Sequence, residues 1–272
     1  MRISGRRIVN AQLTVLSCVA AALLAGCGLH HKAEAVRIQN QRSWANKYAM
    51  GNWMDRRKAV REIVRYIGPQ KNDLIIGTLK VASIDPHPAV RIEAMKRIPL
   101  IKSDELSVLL KKAAAGDRDG NVRWYALQSL RLTRDPASAD VYVRGLASGD
   151  WLIREESIRG ILELDEAVIR PRLIPHIIRA LGDPRTSVVI STLNGLKIRD
   201  DALYRAITGK LFAASEHDYS MLEAVLTALE GYSLDPKTKE KVINLLLHNN
   251  YRIRVLSLRV LKKDRGNKKA GE

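Results

Sequence analysis

The sequence repeats itself. The segments DPHPAVRIEAMKRI (85–98), DRDGNVRWYALQSL (117–130) and SGDWLIREESIRGI (148–161) share one frame. Each opens on Asp or Ser, passes through a turn, reaches an aliphatic-Arg pair, and continues with small and aliphatic residues at fixed offsets. The frame also fits 51–63, 182–196, 216–229 and 248–261. Its anchors are Arg56, Arg91, Arg123, Arg154, Val189, Leu222 and Arg254, at spacings of 35, 32, 31, 35, 33 and 32 residues. Between anchors lies a second apolar-periodic segment: 74–82, 105–114, 141–147, 173–181, 203–214 and 239–247, with Trp44, Ala45 and Tyr48 in the first unit. Helical spacing of the apolar positions in both segments predicts a pair of helices, A and B, per unit. One such pair cannot bury its apolar stripes alone, so pairs must stack. The expected fold is all-α: a right-handed α-α superhelix of about seven helix pairs over 36–261.

Composition agrees. With 46% hydrophobic residues the chain can bury a sizeable core, which excludes disorder throughout. Only 13 residues are aromatic, which argues against a β-sandwich. Two cysteines exclude a disulfide framework.

The Asp-turn-Val-Arg-x-x-Ala-Leu frames around Arg91 and Arg123, with weaker copies elsewhere, resemble HEAT repeats of the phycobilisome-lyase-like bacterial subclass. The resemblance covers roughly 36–261 and implies a solenoid. It says almost nothing of function, because such repeats serve scaffolds, a few enzymes and nucleic-acid binders.

The first 26 residues read as an address. Arg2, Arg6 and Arg7 precede an apolar stretch from Ala11 to Ala25, too short for a comfortable bilayer span of about 20 residues. It ends in Leu24-Ala25-Gly26-Cys27, which resembles the bacterial lipobox. That resemblance implies cleavage between Gly26 and Cys27 and lipidation of the Cys27 thiol. Residues 27–35 then read as a lipidated tether, in which His30 and His31 are too mobile a pair to hold a metal tightly. An ordinary signal peptide and an uncleaved anchor are the competing readings. Removing the leader lowers the net charge from +17 to +14. The basic balance first suggests nucleic acid, but an exported chain does not meet chromosomal DNA.

Repeated positions carry two further expectations. Four residues before the anchors stand Asn52, His87, Asp119, Asp150, Arg185, Asp218 and Asn250, of which five are the Asp or Asn of a helix N-cap. Pro88, one place later, suits a first helical residue. The anchor arginines read as turn contacts between neighbours. Three residues before the anchors stand Trp53, Pro88, Gly120, Trp151, Thr186, Tyr219 and Tyr251, four aromatics in seven. Trp53, Trp151, Tyr219 and Tyr251, with Arg57, Lys58, Arg252 and Arg254 nearby, form a candidate partner surface of stacking and cation–π contacts. The competing reading is that each ring packs on its own chain or on the next repeat.

No catalytic residue, metal site or cofactor site is expected. The sequence has no His-Glu pair of the di-iron HEAT hydroxylases, no zincin helix and no phosphate loop. His176, in an apolar helix, reads as a satisfied core residue. Trp124 with Asp117 and Asp119 imitates the pocket of HEAT-like DNA glycosylases, a role the export address opposes. The basic segment 262–272 reads as a solvated tail. The expectation is a non-enzymatic scaffold in the bacterial envelope, facing the periplasm, bound to the membrane by its lipid and to an envelope protein. Gly28 after the lipid Cys favours the outer membrane. The alternatives are binding of an anionic polymer or lipid headgroup, and an accessory subunit of an envelope enzyme.

Overall fold

In the computed structural model the described residues are 32–69 and 72–270, apart from the side chains of Pro171 and 265–270. Their regular structure is all helical, without a strand. The chain forms two compact units, the first ending at Ile101 and the second running from Lys102. The first holds α1 (32–50), α2 (Trp53–Ile63), α3 (Asp73–Ala82) and α4 (Pro88–Arg97). The second holds α5 (Asp104–Gly116), α6 (Gly120–Thr133), α7 (Ala139–Gly145), α8 (Trp151–Leu162), α9 (Glu166–Arg172), α10 (Ile174–Leu181), α11 (Thr186–Gly195), α12 (Asp201–Ala213), α13 (Tyr219–Leu229), α14 (Pro236–Asn244) and α15 (Tyr251–Ala270).

These are the helix pairs of an α-α solenoid with HEAT-like repeats, two in the first unit and five in the second. Sequence alone suggests one solenoid over 36–261. The division falls just after the 3-10 turn Ile98–Leu100, where Pro99 supplies no amide to prolong α4. Val60, Ile75, Leu79 and Met95 are fully buried in the first unit, and Leu110, Leu130, Ile158 and Ile207 in the second. In the second unit the B helices α6, α8, α11, α13 and α15 pack in series, each also against its own A helix.

All seven B helices begin at the residue after the expected cap. Asn52 accepts from the amides of Met54 and Asp55, Asp119 from Asn121 and Val122, Asp150 from Leu152, Asp218 from Met221, and Asn250 from Arg252. His87 does the same through Nδ1, at 3.2 Å from the Ala89 amide. Each such bond satisfies an amide that has no partner inside its helix and contributes about 1 kcal/mol. Arg185 holds the cap position without a side-chain cap.

Three boundaries differ from the sequence expectation. Helix α9 occupies the stretch between α8 and α10, accounting for the long spacing there; Asp165 precedes it and Arg170 pairs with Glu166 along it. Helix α1 already includes residue 32, inside the expected tether 27–35, and Arg37 ties it to the Tyr66 carbonyl at 3.0 Å. The tail expected over 262–272 is helical to Ala270, continuing α15. Its Asp264 is fully buried, accepting from the Leu234 amide at 3.0 Å and Lys239 Nζ at 2.9 Å, and those two bonds hold the end of α15 on α14.

Two glycines in helices offer a test of packing. A Cβ on Gly160 of α8 would lie 2.3 Å from the ring of the buried Tyr142, whereas one on Gly209 of α12 would meet nothing within 4 Å. Gly209→Ala should stabilise by up to about 1 kcal/mol through helix propensity. Gly160→Ala should destabilise by about 1–3 kcal/mol through overpacking. Urea unfolding of the two variants checks the opposite signs.

Candidate partner-binding surface

The anchor arginines close the turns. Arg123 donates to the Asp117 carbonyl at 2.7 Å, Arg91 to those of Asp85 and Pro86, Arg154 to those of Ser148 and Gly149, and Arg254 to those of His248 and Asn249. Arg56 and Arg154 also reach the following repeat. Arg56 grips Asp85 through two bonds of 2.7 and 2.9 Å, and Arg154 grips Asp183 through two of 2.7 and 3.0 Å. Tyr48 of α1 completes the first cluster, its hydroxyl donating to Asp85 at 2.9 Å.

These contacts set the titration of the cluster. Burial pushes the Asp85 carboxyl up, but the bonds from Arg56, the His87 amide and Tyr48 outweigh it and hold it below the usual range. Burial and then the bond to Asp85 push the Tyr48 hydroxyl well above its ordinary value. Asp183 is lowered, chiefly by Arg154, and Asp235 to about 2, chiefly by Thr238 and then Tyr204.

The aromatic column stands at the first residue of the B helices, and three of its four rings bridge to the next turn. Trp53 stacks on His87 at 4.1 Å and 5°. Trp151 lies under the Arg185 guanidinium at 4.8 Å, and Tyr219 meets the edge of His248 at 5.7 Å. His87 and Arg185 are the cap-position residues of the following repeat. Tyr251 starts the last described repeat and is 72% exposed. Trp53 and Tyr219 remain over a third exposed, and Trp151 is half-buried. The candidate surface thus divides: Trp53, Arg57 and Lys58 share α2, while Tyr251, Arg252 and Arg254 share the start of α15. Arg57 pairs with Glu93 at 3.5 Å, Arg252 with Glu223 at 2.9 Å, and Arg254 is committed to its own turn.

A feature not anticipated from the sequence is an apolar groove of about 700 Å³ in the first unit, between α1 and α3. Ala45, Ala49, Leu74, Gly77, Val81 and Ile84 line it, with Arg56, Asp85 and Tyr48 among its walls. Ile84 is 71% exposed and Val81 55%. Its signal was present in DLIIGTLKVA (73–82), which carries apolar residues on more faces than one buried stripe needs.

Other sequence candidates are differently placed. Asp119 caps α6, and Asp117 accepts from the Asp119 amide, so both carboxylates serve the turn beside Trp124. His176 is half-buried on α10, not a core residue, because that helix buries only the stripe of Ile174, Ile177, Ala180 and Leu181. Gly26, Cys27, Gly28, His30 and His31 lie outside the described residues. Among the described residues no group of three or more His, Cys, Asp or Glu is placed to hold a metal. No helix there is long and apolar enough to cross a membrane.

No protein-family profile matches the chain. No curated protein matches it either. Among solved structures it is similar to the Escherichia coli protein YibA, at TM-score 0.53 and 12% identity over 85% of this chain and 96% of that one. It is also similar to Pds5, a HEAT-repeat solenoid solved in complex with Scc1, at TM-score 0.54 and 11% identity. That match covers 83% of this chain and 42% of Pds5. At such identities the likeness shows the fold.

The Asp85 cluster predicts an acid limb. Its carboxyl titrates below its unfolded value, so its stabilisation is complete above the usual carboxylate range and lost as pH falls through it. Asp85→Asn should cost about 3 kcal/mol at pH 7, since it leaves Arg56 without its buried counter-charge. The difference from wild type should close below about pH 4. Urea midpoints of both proteins between pH 7 and pH 2.5 check it.

Proposed function

We propose that this protein is a lipid-anchored scaffold of the bacterial cell envelope that holds a protein partner in the α1–α3 groove. The observation that carries the reading is that groove, where aliphatic side chains stay exposed beside a fixed polar cluster. Apolar pockets with a few convergent polar groups are the usual form of a binding site. Pds5, a neighbour in fold, was solved in complex with a protein, Scc1.

The finer assignments rest on sequence. Leu24-Ala25-Gly26-Cys27 supports cleavage before Cys27 and its lipidation, hence a periplasm-facing protein on the outer membrane, as Gly28 favours. The frames around Arg91 and Arg123 support the phycobilisome-lyase-like subclass of HEAT repeats.

Two measurements test the proposal. Labelled palmitate should enter the wild-type chain and not Cys27→Ala. In intact cells, a photo-crosslinker at Val81 should capture a discrete partner, and Ile84→Asp should reduce that product more than tenfold. Ile84 is largely exposed, so the change leaves the fold intact. Capture unaffected by Ile84→Asp would remove the groove from the mechanism.

A further inference from the structure

The turn between α1 and α2 exposes what a soluble end cap normally hides. Met50, the last residue of α1, is 90% exposed, and Met54, early in α2, is 58% exposed. They flank Gly51 and Asn52 at the tip of the hairpin. Lys47, Met50 and Lys58 line one shallow pocket there with Trp44, Gly51 and Asp55. Lys47 Nζ lies 4.2 Å from the Trp44 ring centre. Met54, Lys58 and Arg61 recur at helical spacing on α2, so apolar tip and cations share a face. Asp55 is the acidic residue at the tip, and Glu62, lower on α2, is paired with Arg61 and Arg65.

Flexible thioethers at an apex, ringed by Trp and by Lys and Arg on long stems, match the boundary between headgroups and acyl chains. We infer that the α1–α2 tip docks on an anionic bilayer surface, with Met50 and Met54 entering the interface and Lys47, Lys58 and Arg61 meeting phosphates. The chain's place supports this. Both helices belong to the first of the described repeats, and Lys47, Met50, Met54 and Lys58 stay exposed there. Laid along the surface, α1 spans about 27 Å, so tether and tip reach the same membrane. The physiological setting rests on the lipid-anchor reading above; the contact itself does not need the lipid.

The test uses a chain begun at residue 28, which keeps every described residue and carries no cysteine. It should sediment with vesicles containing 30 mol% phosphatidylglycerol and not with pure phosphatidylcholine. Lys47→Glu/Lys58→Glu/Arg61→Glu and, separately, Met50→Ser/Met54→Ser should each weaken binding more than tenfold. Reversal of Lys112, Lys197 and Arg205 in the second unit should not. A nitroxide on Met54→Cys should report contact with acyl chains, which holds the inference to account even where a charge variant folds poorly. Binding that ignores the Met substitutions, and that soluble dextran sulfate abolishes, would overturn the inference in favour of a polyanion site. Absence of vesicle binding would overturn it outright, whatever palmitate labelling shows about Cys27.

Discussion

A guanidinium one turn into helix B holds the turn before it and, at Arg56 and Arg154, the repeat after it. Arg154 donates to the carbonyls of Ser148 and Gly149 in its own turn and grips Asp183 in the next. Carbonyls at a tight turn cannot all find helical partners, and a planar fork with five donors satisfies several from one side chain. Asp183 in its turn accepts the Arg185 amide, fixing the backbone that leads into α11. Turn shape and stacking position therefore come from the same few bonds. Removing one of them costs more than a surface ion pair would, because Asp85 and Asp183 are almost wholly buried beneath their arginines.

Repeats that lack the arginine show what it supplies. Leu222 stands at the anchor of the sixth repeat, and the Glu216 carbonyl, which an arginine there would take, instead meets His248 Nε2 at 2.8 Å. Nδ1 of that ring accepts the Asn250 amide, so Nε2 carries the proton. A residue of the following repeat has taken over the missing contact, and Tyr219 packs against the same imidazole. The aromatic column and the arginine row thus answer one need, covering the turn with a flat group.

Much of this was legible in the sequence because capping and helical spacing are local. The seven B helices begin where the cap column puts them, even at Arg185, whose guanidinium lies over Trp151 instead of capping. What could not be read depends on partners far along the chain. Helix α15 outlasts its apolar pattern because Asp264 finds Leu234 and Lys239, about thirty and twenty-five residues away. The groove between α1 and α3 escaped notice for the opposite reason. Leu74 and Val81 fall in the apolar-periodic segment 74–82, and only the fold shows that they and Ile84 stay exposed among the described residues.

The first described repeat exposes Lys32, Arg42, Lys58 and Arg61 along most of its length, and Met50 and Met54 at one apex. Scattered exposed apolar residues are ordinary. Two methionines at one apex, ringed by cations and beside the groove that leaves Val81 and Ile84 bare, are not scattered. The charge that first suggested nucleic acid has a local meaning here: Lys47, Lys58 and Arg61 surround an apolar tip, and an apolar tip ringed by cations fits a surface that is itself apolar beneath anionic headgroups. A bare polyanion would satisfy the cations and leave the methionines in water, and the Met50→Ser/Met54→Ser comparison separates these two surfaces.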